Sequence, residues 1–334
     1  MKASQIYEAL IHFTQEKLPA FIWGPPGIGK SSIVKQIAND HAYDFIDLRL
    51  SLLDPTDLKG IPFFDKENSE AVWASPNFLP KDPNSRGILF LDEINTAAPS
   101  VQASAYQLVL DRKVGDYTLP EGWSIIAAGN RENDRGVTFR MPPPLANRFV
   151  HLEMAVDFED WKQWAYASNI DETVIGYLSF DESKLFDFDP TRNERSFPTP
   201  RSWEYVHKIL CSGVSEQLLH EAVSGAIGKE NSVDFLAFRK VMHQLPDIDA
   251  IVRGELKEID EEETKVLFML CAGLVKRLRQ NPQKEAIDNV LAFSLTLPPE
   301  FAIMLVKDMQ KNAIPVENVP HWDEWVRKFS YLLA

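Results

Sequence analysis

The sequence predicts an α/β protein. A five-stranded parallel sheet with helices on both faces (an αβα core) would be followed by helices as far as the C-terminus. Short, continuously apolar runs such as Ala20 to Trp23 and Gly87 to Asp92 (GILFLD) alternate with amphipathic stretches over residues 20–130. Strands that lack polar alternation belong to a parallel sheet buried on both faces. From about Asp157 the apolar residues recur at helical spacing only.

Each element has its own signal. The N-terminal MKASQIYEALIHFTQEK reads as a short amphipathic helix, with Ile6, Leu10 and Phe13 on one face. Ala20 to Trp23 is a strand running into a glycine-rich turn, and Ser31 to Asn39 is a helix. Tyr43 to Leu50 and Gly87 to Asp92 are the second and third strands. Pro99 to Leu110 is helical, with Val101, Ala105, Leu108 and Val109 on one side. Trp123 to Ala128 and Phe149 to Met154 complete the sheet. Two segments read as hairpins, Leu58 to Trp73 and Lys113 to Trp123. Beyond the sheet, Trp161, Trp164 and Ala165 open one helix, and Val174, Tyr177 and Leu178 mark another. Phe186 to Pro200 is a loop rich in Asp, Arg and Pro. The next helix has Thr199 as its cap and Pro200 at its first position. The run from Val266 to Leu278 keeps helical spacing until Asn281-Pro282 ends it. Trp325, Phe329 and Leu332 mark a last helix.

Composition removes several classes. Hydrophobic residues make up 45% and charged residues 25% of the 334, as in ordinary globular chains. No apolar run reaches the ~18 residues that a membrane helix needs, so no membrane span is expected. The N-terminus lacks the apolar stretch and cleavage site of a secretory signal. The two cysteines, Cys211 and Cys271, and the seven scattered histidines have no metal-site spacing. Both cysteines read as buried free thiols, and a reducing cytoplasm fits them. The net charge of −14 repels a phosphate backbone and disfavours non-specific binding of nucleic acid.

Two motifs carry chemistry. Gly24-Pro25-Pro26-Gly27-Ile28-Gly29-Lys30-Ser31 fits G-x-x-x-x-G-K-[ST], between a strand and a helix. Its glycines let successive backbone N–H groups point at phosphate oxygens, and the helix behind aims its positive end at the same charge. Lys30 would reach the β- and γ-phosphates of ATP, the Ser31 hydroxyl would ligate magnesium, and Ser32 joins the nucleotide contacts. The second motif is Ile88-Leu89-Phe90-Leu91-Asp92-Glu93, an apolar strand ending in two carboxylates. Charges set directly behind buried residues need a reason. Asp92 is assigned to magnesium and Glu93 to the general base that polarises the attacking water.

GPPGIGKS, ILFLDE, the strand IIAAGN and the segment PPPLANRF together resemble the AAA+ ATPases, above all the MoxR and dynein-related branch. The match covers about residues 1–210 and is specific over the first 150. It implies an AAA+ nucleotide-binding domain at 1–155, a helical lid at 156–228 and a helical C-terminal extension at 229–334. It implies that Asn130, ending the strand beside the acidic one, is the first sensor, touching the γ-phosphate or the lytic water. It implies that Arg148 is a finger acting on the neighbouring subunit's nucleotide, with Arg131, Arg135 and Arg140 competing for that role. Arg201, in TPRSWEYV, matches the second sensor of the lid. In related rings the two hairpins face the pore or the client, making Phe63, Phe64 and Tyr117 candidate contacts. The alternative is that these aromatics pack beneath their own hairpins.

The resulting expectation is a cytoplasmic ATPase motor working as a homo-oligomer, most simply a hexameric ring. It would be chaperone-like, remodelling a protein client such as one with a von Willebrand factor A domain. Two rivals stay open: an ATPase acting on nucleic acid, for which Lys276 to Arg279 (KRLR) is the best patch, and a scaffold that holds ATP without turnover.

Overall fold

A computed structural model of the chain describes all residues except 69, 132, 133, 135–138, 140, 193, 261, 262 and 330–334, and the backbone alone of Met242. The chain divides into two units, Met1–Asp157 with Asp189–Asn193, and Phe158–Phe188 with Glu194–Ala334.

The first unit begins with α1 (Ala3–Gln15), β1 (Ala20–Trp23), α2 (Lys30–Asp40) and β2 (Asp44–Arg49). Next come α3 (Pro55–Lys59), the hairpin β3 (Ile61–Asp65) and β4 (Glu70–Ala74), β5 (Gly87–Asp92) and α4 (Pro99–Asp111). A second hairpin, β6 (Lys113–Val114) and β7 (Tyr117–Thr118), leads to β8 (Trp123–Gly129), α5 (Pro143–Ala146) and β9 (Val150–Glu153). β2, β5, β8, β1 and β9 lie side by side in that order in one sheet, every pairing parallel. This is the expected five-stranded sheet. Its centre is the apolar part: the first five residues of β5 and all seven of β8 are buried. Phe21, Leu89, Leu91, Ile125 and Ala127 join Val101, Ala105 and Leu108 of α4 in one core. In α1, Ile6 and Leu10 are fully buried, as the amphipathic pattern predicts.

Both expected hairpins form, with different surroundings. β3 and β4 pair antiparallel and leave Phe63 58% and Phe64 67% exposed. Tyr117 of the second hairpin is instead buried, and its hydroxyl donates to the Pro80 carbonyl at 2.8 Å. Burial pushes that phenol up to about 12. Tyr117 is therefore a packing residue, which corrects its expected role as a contact. The hairpins are tied together: the Trp73 N–H donates to an Asp116 carboxylate oxygen at 2.8 Å. Arg112 Nη2 donates to the carbonyls of Pro120 at 2.7 Å and Trp123 at 2.8 Å, fastening the second hairpin to the start of β8.

The second unit is helical: α6 (Phe158–Ala167), α7 (Glu172–Phe180), α8 (Pro200–Cys211), α9 (Glu216–Ile227), α10 (Lys229–Arg239), α11 (Ile248–Val252), α12 (Thr264–Gln280), α13 (Lys284–Ser294), α14 (Pro299–Lys311) and α15 (Trp322–Phe329). Thr199 caps α8 through its hydroxyl and the Ser202 N–H, with Pro200 first in the helix, as its sequence signature predicts. The periodic run of the sequence becomes α12, whose Val266, Leu267, Leu270, Leu274, Val275 and Leu278 are buried. Tyr177, Trp203 and Phe235 pack ring to ring at 5.4–5.5 Å. Lys162 of α6 and Asp308 of α14 form a buried ion pair at 2.5 Å. Cys271 is buried as expected, but Cys211 is exposed: it lies at the end of α8, outside the buried stripe of Ser202, Trp203 and Val206. No helix among the described residues is long and apolar enough to cross a membrane.

Candidate active site

Because β5, β8 and β1 are parallel neighbours, the segments that follow them leave the sheet at one edge. The C-terminal edge of an open parallel sheet is where its ligand crevice forms. Gly24–Gly29 follows β1, Glu93 follows β5 and Asn130 follows β8.

The loop after β1 turns through left-handed backbone at Gly27 (φ 77) and Gly29 (φ 98), a conformation that a side chain would strain. No atom lies within 4 Å of the place a Gly29 Cβ would take, so the backbone is open on that side. Gly29 caps α2, and Lys30, Ser31 and Ser32 form its first turn. The N–H groups of a first helical turn have no partner within the helix and favour an anion. Lys30 Nζ donates to the carbonyls of Gly24 at 2.6 Å and Pro25 at 2.9 Å, and to Asn130 Oδ1 at 3.1 Å. The loop lysine and the candidate sensor amide are thus in direct contact.

At the end of β5, Asp92 Oδ1 accepts the N–H of Glu93 at 3.0 Å. Burial, then the charges of Asp47 and Glu93, raise the Asp92 carboxyl above its ordinary range; the Glu93 N–H and Lys30 pull the other way. This carboxylate is only partly compensated, and with the Ser31 hydroxyl it offers the hard oxygen donors that magnesium selects. The two residues fit that ion. Glu93 has left-handed backbone (φ 57) although it is not glycine. Its carboxylate accepts a hydrogen bond from the Ser51 hydroxyl, and its carbonyl accepts one from Thr96 Oγ1 at 2.9 Å.

The arginines separate. Arg131 is engaged within its own chain, with Glu153 Oε2 at 2.9 Å and the Met154 carbonyl at 3.3 Å. Arg148 is exposed in the turn between α5 and β9, and no described residue bonds its guanidinium. Val150 pairs with Ala20 at the beginning of β1, so Arg148 stands at the sheet edge away from the phosphate loop. Four strand residues, about 13 Å, intervene. Arg135 and Arg140 lie outside the described residues. Arg201 is exposed in the first turn of α8, in the second unit.

Residues 20–154 match the family model described as ATPase family associated with various cellular activities (AAA). They are an AAA ATPase domain. The AAA domain runs from β1 to the residue after β9, taking in the phosphate loop, the acidic turn, Asn130 and Arg148 and leaving Arg201 outside. The chain is 28% identical over 142 residues to the replication factor C large subunit of Ignicoccus hospitalis. That alignment takes in 40% of this chain, and the chain spans 28% of the relative's length. A RuvB variant from Thermotoga maritima is 15% identical at a TM-score of 0.38, covering 97% of this chain and 85% of that one. NtrX from Brucella abortus in complex with ATP is 15% identical at a TM-score of 0.38, covering 92% and 68%. The fold assignment rests on the sheet order and the AAA match rather than on these distant likenesses.

Two residues of the site carry no motif. Ser51 is one serine in Ser51-Leu52-Leu53, and its partner is distant in sequence. Asn95 is 2% exposed and donates through Nδ2 to the Asn130 carbonyl at 2.7 Å. A polar residue directly after Ile94 was its only signal.

Proposed function

We propose that the chain is a chaperone-like ATPase motor of the MoxR kind, working in the cytoplasm as a homo-oligomeric, hexameric ring on a protein client. The observation that carries the reading is the contact between Lys30 Nζ and Asn130 Oδ1 beside the acidic end of β5. It joins a phosphate-binding cation to an amide able to hold a γ-phosphate oxygen or the lytic water. In this reading the N–H groups of the loop and of α2 hold the phosphates of ATP, and Lys30 exchanges the Gly24 and Pro25 carbonyls for β- and γ-oxygens. Ser31 and Asp92 would hold magnesium, which would supply charge neutralisation at the phosphates. Glu93 takes a proton from the attacking water once Ser51 releases it. Asn130 orients that water.

Arg148 reaches a neighbouring subunit's nucleotide. Its exposure, its lack of a described partner and its distance from its own phosphate loop support action across subunits. Arg201, on the proposed lid (156–228), senses the γ-phosphate, and residues 229–334 form the extension. The exposed Phe63 and Phe64 are the candidate client contacts.

The test is ATP turnover together with mass photometry, with and without ATP, across protein concentration. Turnover that rises cooperatively with ring assembly supports the shared site. A monomer that hydrolyses at full rate refutes the ring and the finger.

A second reading, an ATPase acting on nucleic acid, is favoured by the relative named a replication factor subunit. The charge of −14 opposes it. Moreover, Lys276 and Arg277 of KRLR are already paired, with Glu172 and Asp249. Stimulation of turnover by DNA, and none by protein, would decide for it.

A further inference from the structure

Asn95 lies two residues beyond Glu93, where burial of an amide is costly unless its polar atoms are paired. Its Nδ2 donates to the Asn130 carbonyl at 2.7 Å, and its own carbonyl accepts the Phe139 N–H at 2.6 Å. Its Oδ1 is buried with no hydrogen-bond partner among the described residues. That oxygen sits over Gly129, the last residue of β8, where a Cβ would lie 2.2 Å from Oδ1 and 2.8 Å from Cγ. The close approach therefore requires glycine at 129. An apolar side chain at 95 with alanine at 129 would remove the unpartnered Oδ1 but would also take away the donor that the Asn130 carbonyl accepts, so what the amide contributes is that bond. What the amide does uniquely is link the turn that carries Asp92 and Glu93 to the backbone of Asn130, whose side chain meets Lys30.

We propose that Asn95 is a positioning residue: it fixes the Asn130 backbone against the acidic turn, so that the Asn130 amide and the Glu93 carboxylate keep one spacing around the attacking water. Asn95 touches neither nucleotide nor water. The inference rests on the ATPase reading above.

The experiment compares kcat, KM for ATP, affinity for a fluorescent ATP analogue and thermal midpoint in the full-length chain. Asn95→Leu keeps the branched shape, at a larger volume, and removes the donor. It is expected to lower kcat at least tenfold while KM and affinity stay within threefold. Gly129→Ala, which drives Asn95 from its place, should lower kcat similarly and also the midpoint. Combining Gly129→Ala with Asn95→Ala relieves the clash and should restore the midpoint but not kcat. Recovery of kcat in that double variant would mean that Asn95 acts by packing alone, and overturns the proposal. If Asn95→Leu fails to fold, Asn95→Ser gives the same readout. A single variant with kcat within threefold of the unaltered chain, or a loss confined to KM, also overturns it and leaves the ATPase reading standing. Absence of turnover in the unaltered chain, assembled with ATP and magnesium, overturns both.

Discussion

The Ser51 hydroxyl donates to the Glu93 carboxylate across the ends of the paired strands β2 and β5, where Arg49 stands opposite Asp92. A carboxylate that accepts this bond gives up part of its capacity to accept a water proton. Ser51→Ala should therefore raise basal kcat. A hydrogen bond to a charged group is worth about 1.5–3 kcal/mol, which sets an upper range of roughly ten- to hundredfold for the rate increase. Steady-state turnover without client checks it, and an unchanged or lower kcat counts against a restraining role for the serine.

Lys30 and Glu93 should separate binding from chemistry. Lys30→Ala removes the cation that the loop holds toward the phosphates and should abolish nucleotide binding. Glu93→Gln keeps the shape and removes the base, so binding persists and hydrolysis stops. Equilibrium binding and turnover measured on both variants check the pair, and equal loss of binding in both contradicts the assigned roles.

Arg148 stands away from its own phosphate loop, so in the proposed ring its effect should be visible only between subunits. Mixing Arg148→Ala with Glu93→Gln protein should partly restore turnover, because some shared sites then carry an intact base and an intact arginine. No recovery in rings shown to be mixed argues against action across subunits.

Asp92 predicts the pH dependence of stability in the metal-free protein. Its folded pKa is raised, so between its unfolded and folded values the native state binds more proton than the unfolded state. Stability falls as pH rises through that window, and the penalty stays in full above it. Asp92→Asn should thus melt at a higher temperature than the unaltered chain at neutral pH. The difference should vanish below the ordinary carboxylate range. A gap that does not change with pH would assign the effect to something other than ionisation.

In the helical unit, Lys162 and Asp308 are buried together, and burial raises the Asp308 carboxyl while Lys162 lowers it. Lys162→Met leaves that carboxyl without its partner and should cost about 3–5 kcal/mol. Adding Asp308→Leu should return most of the loss. Chemical denaturation of the two variants checks this, and equal instability would mean that the charges matter less than their volumes.

The parallel core was legible because its strands are uninterrupted apolar runs and its loops carry local motifs. Gly24–Ser31, Asp92, Glu93 and Asn130 are each marked by their neighbours in sequence. Ser51 and Asn95 were not, since their partners are fixed by strand pairing rather than by spacing. Lys162 and Asp308 were invisible because the packing of α6 and α14, distant in sequence, brings them together. Of the two readings left open for the hairpin aromatics, packing holds for Tyr117, which joins the core with Val114 and Leu119, whereas Phe63 and Phe64 stay exposed. Cys211 shows the limit of residue-type averages: thiols are usually buried, but a helix end need not follow the average.

The bond between Asp116 and Trp73 gives the first unit a mechanical path. Trp73 lies on β4, the strand paired with that of the exposed phenylalanines; its amide meets the Asp116 carboxylate of the second hairpin, and Arg112 joins that hairpin to the first residue of β8. The last residue of that strand adjoins Asn130. A displacement of the exposed hairpin is therefore coupled, through one carboxylate and one guanidinium, to the central strand of the sheet.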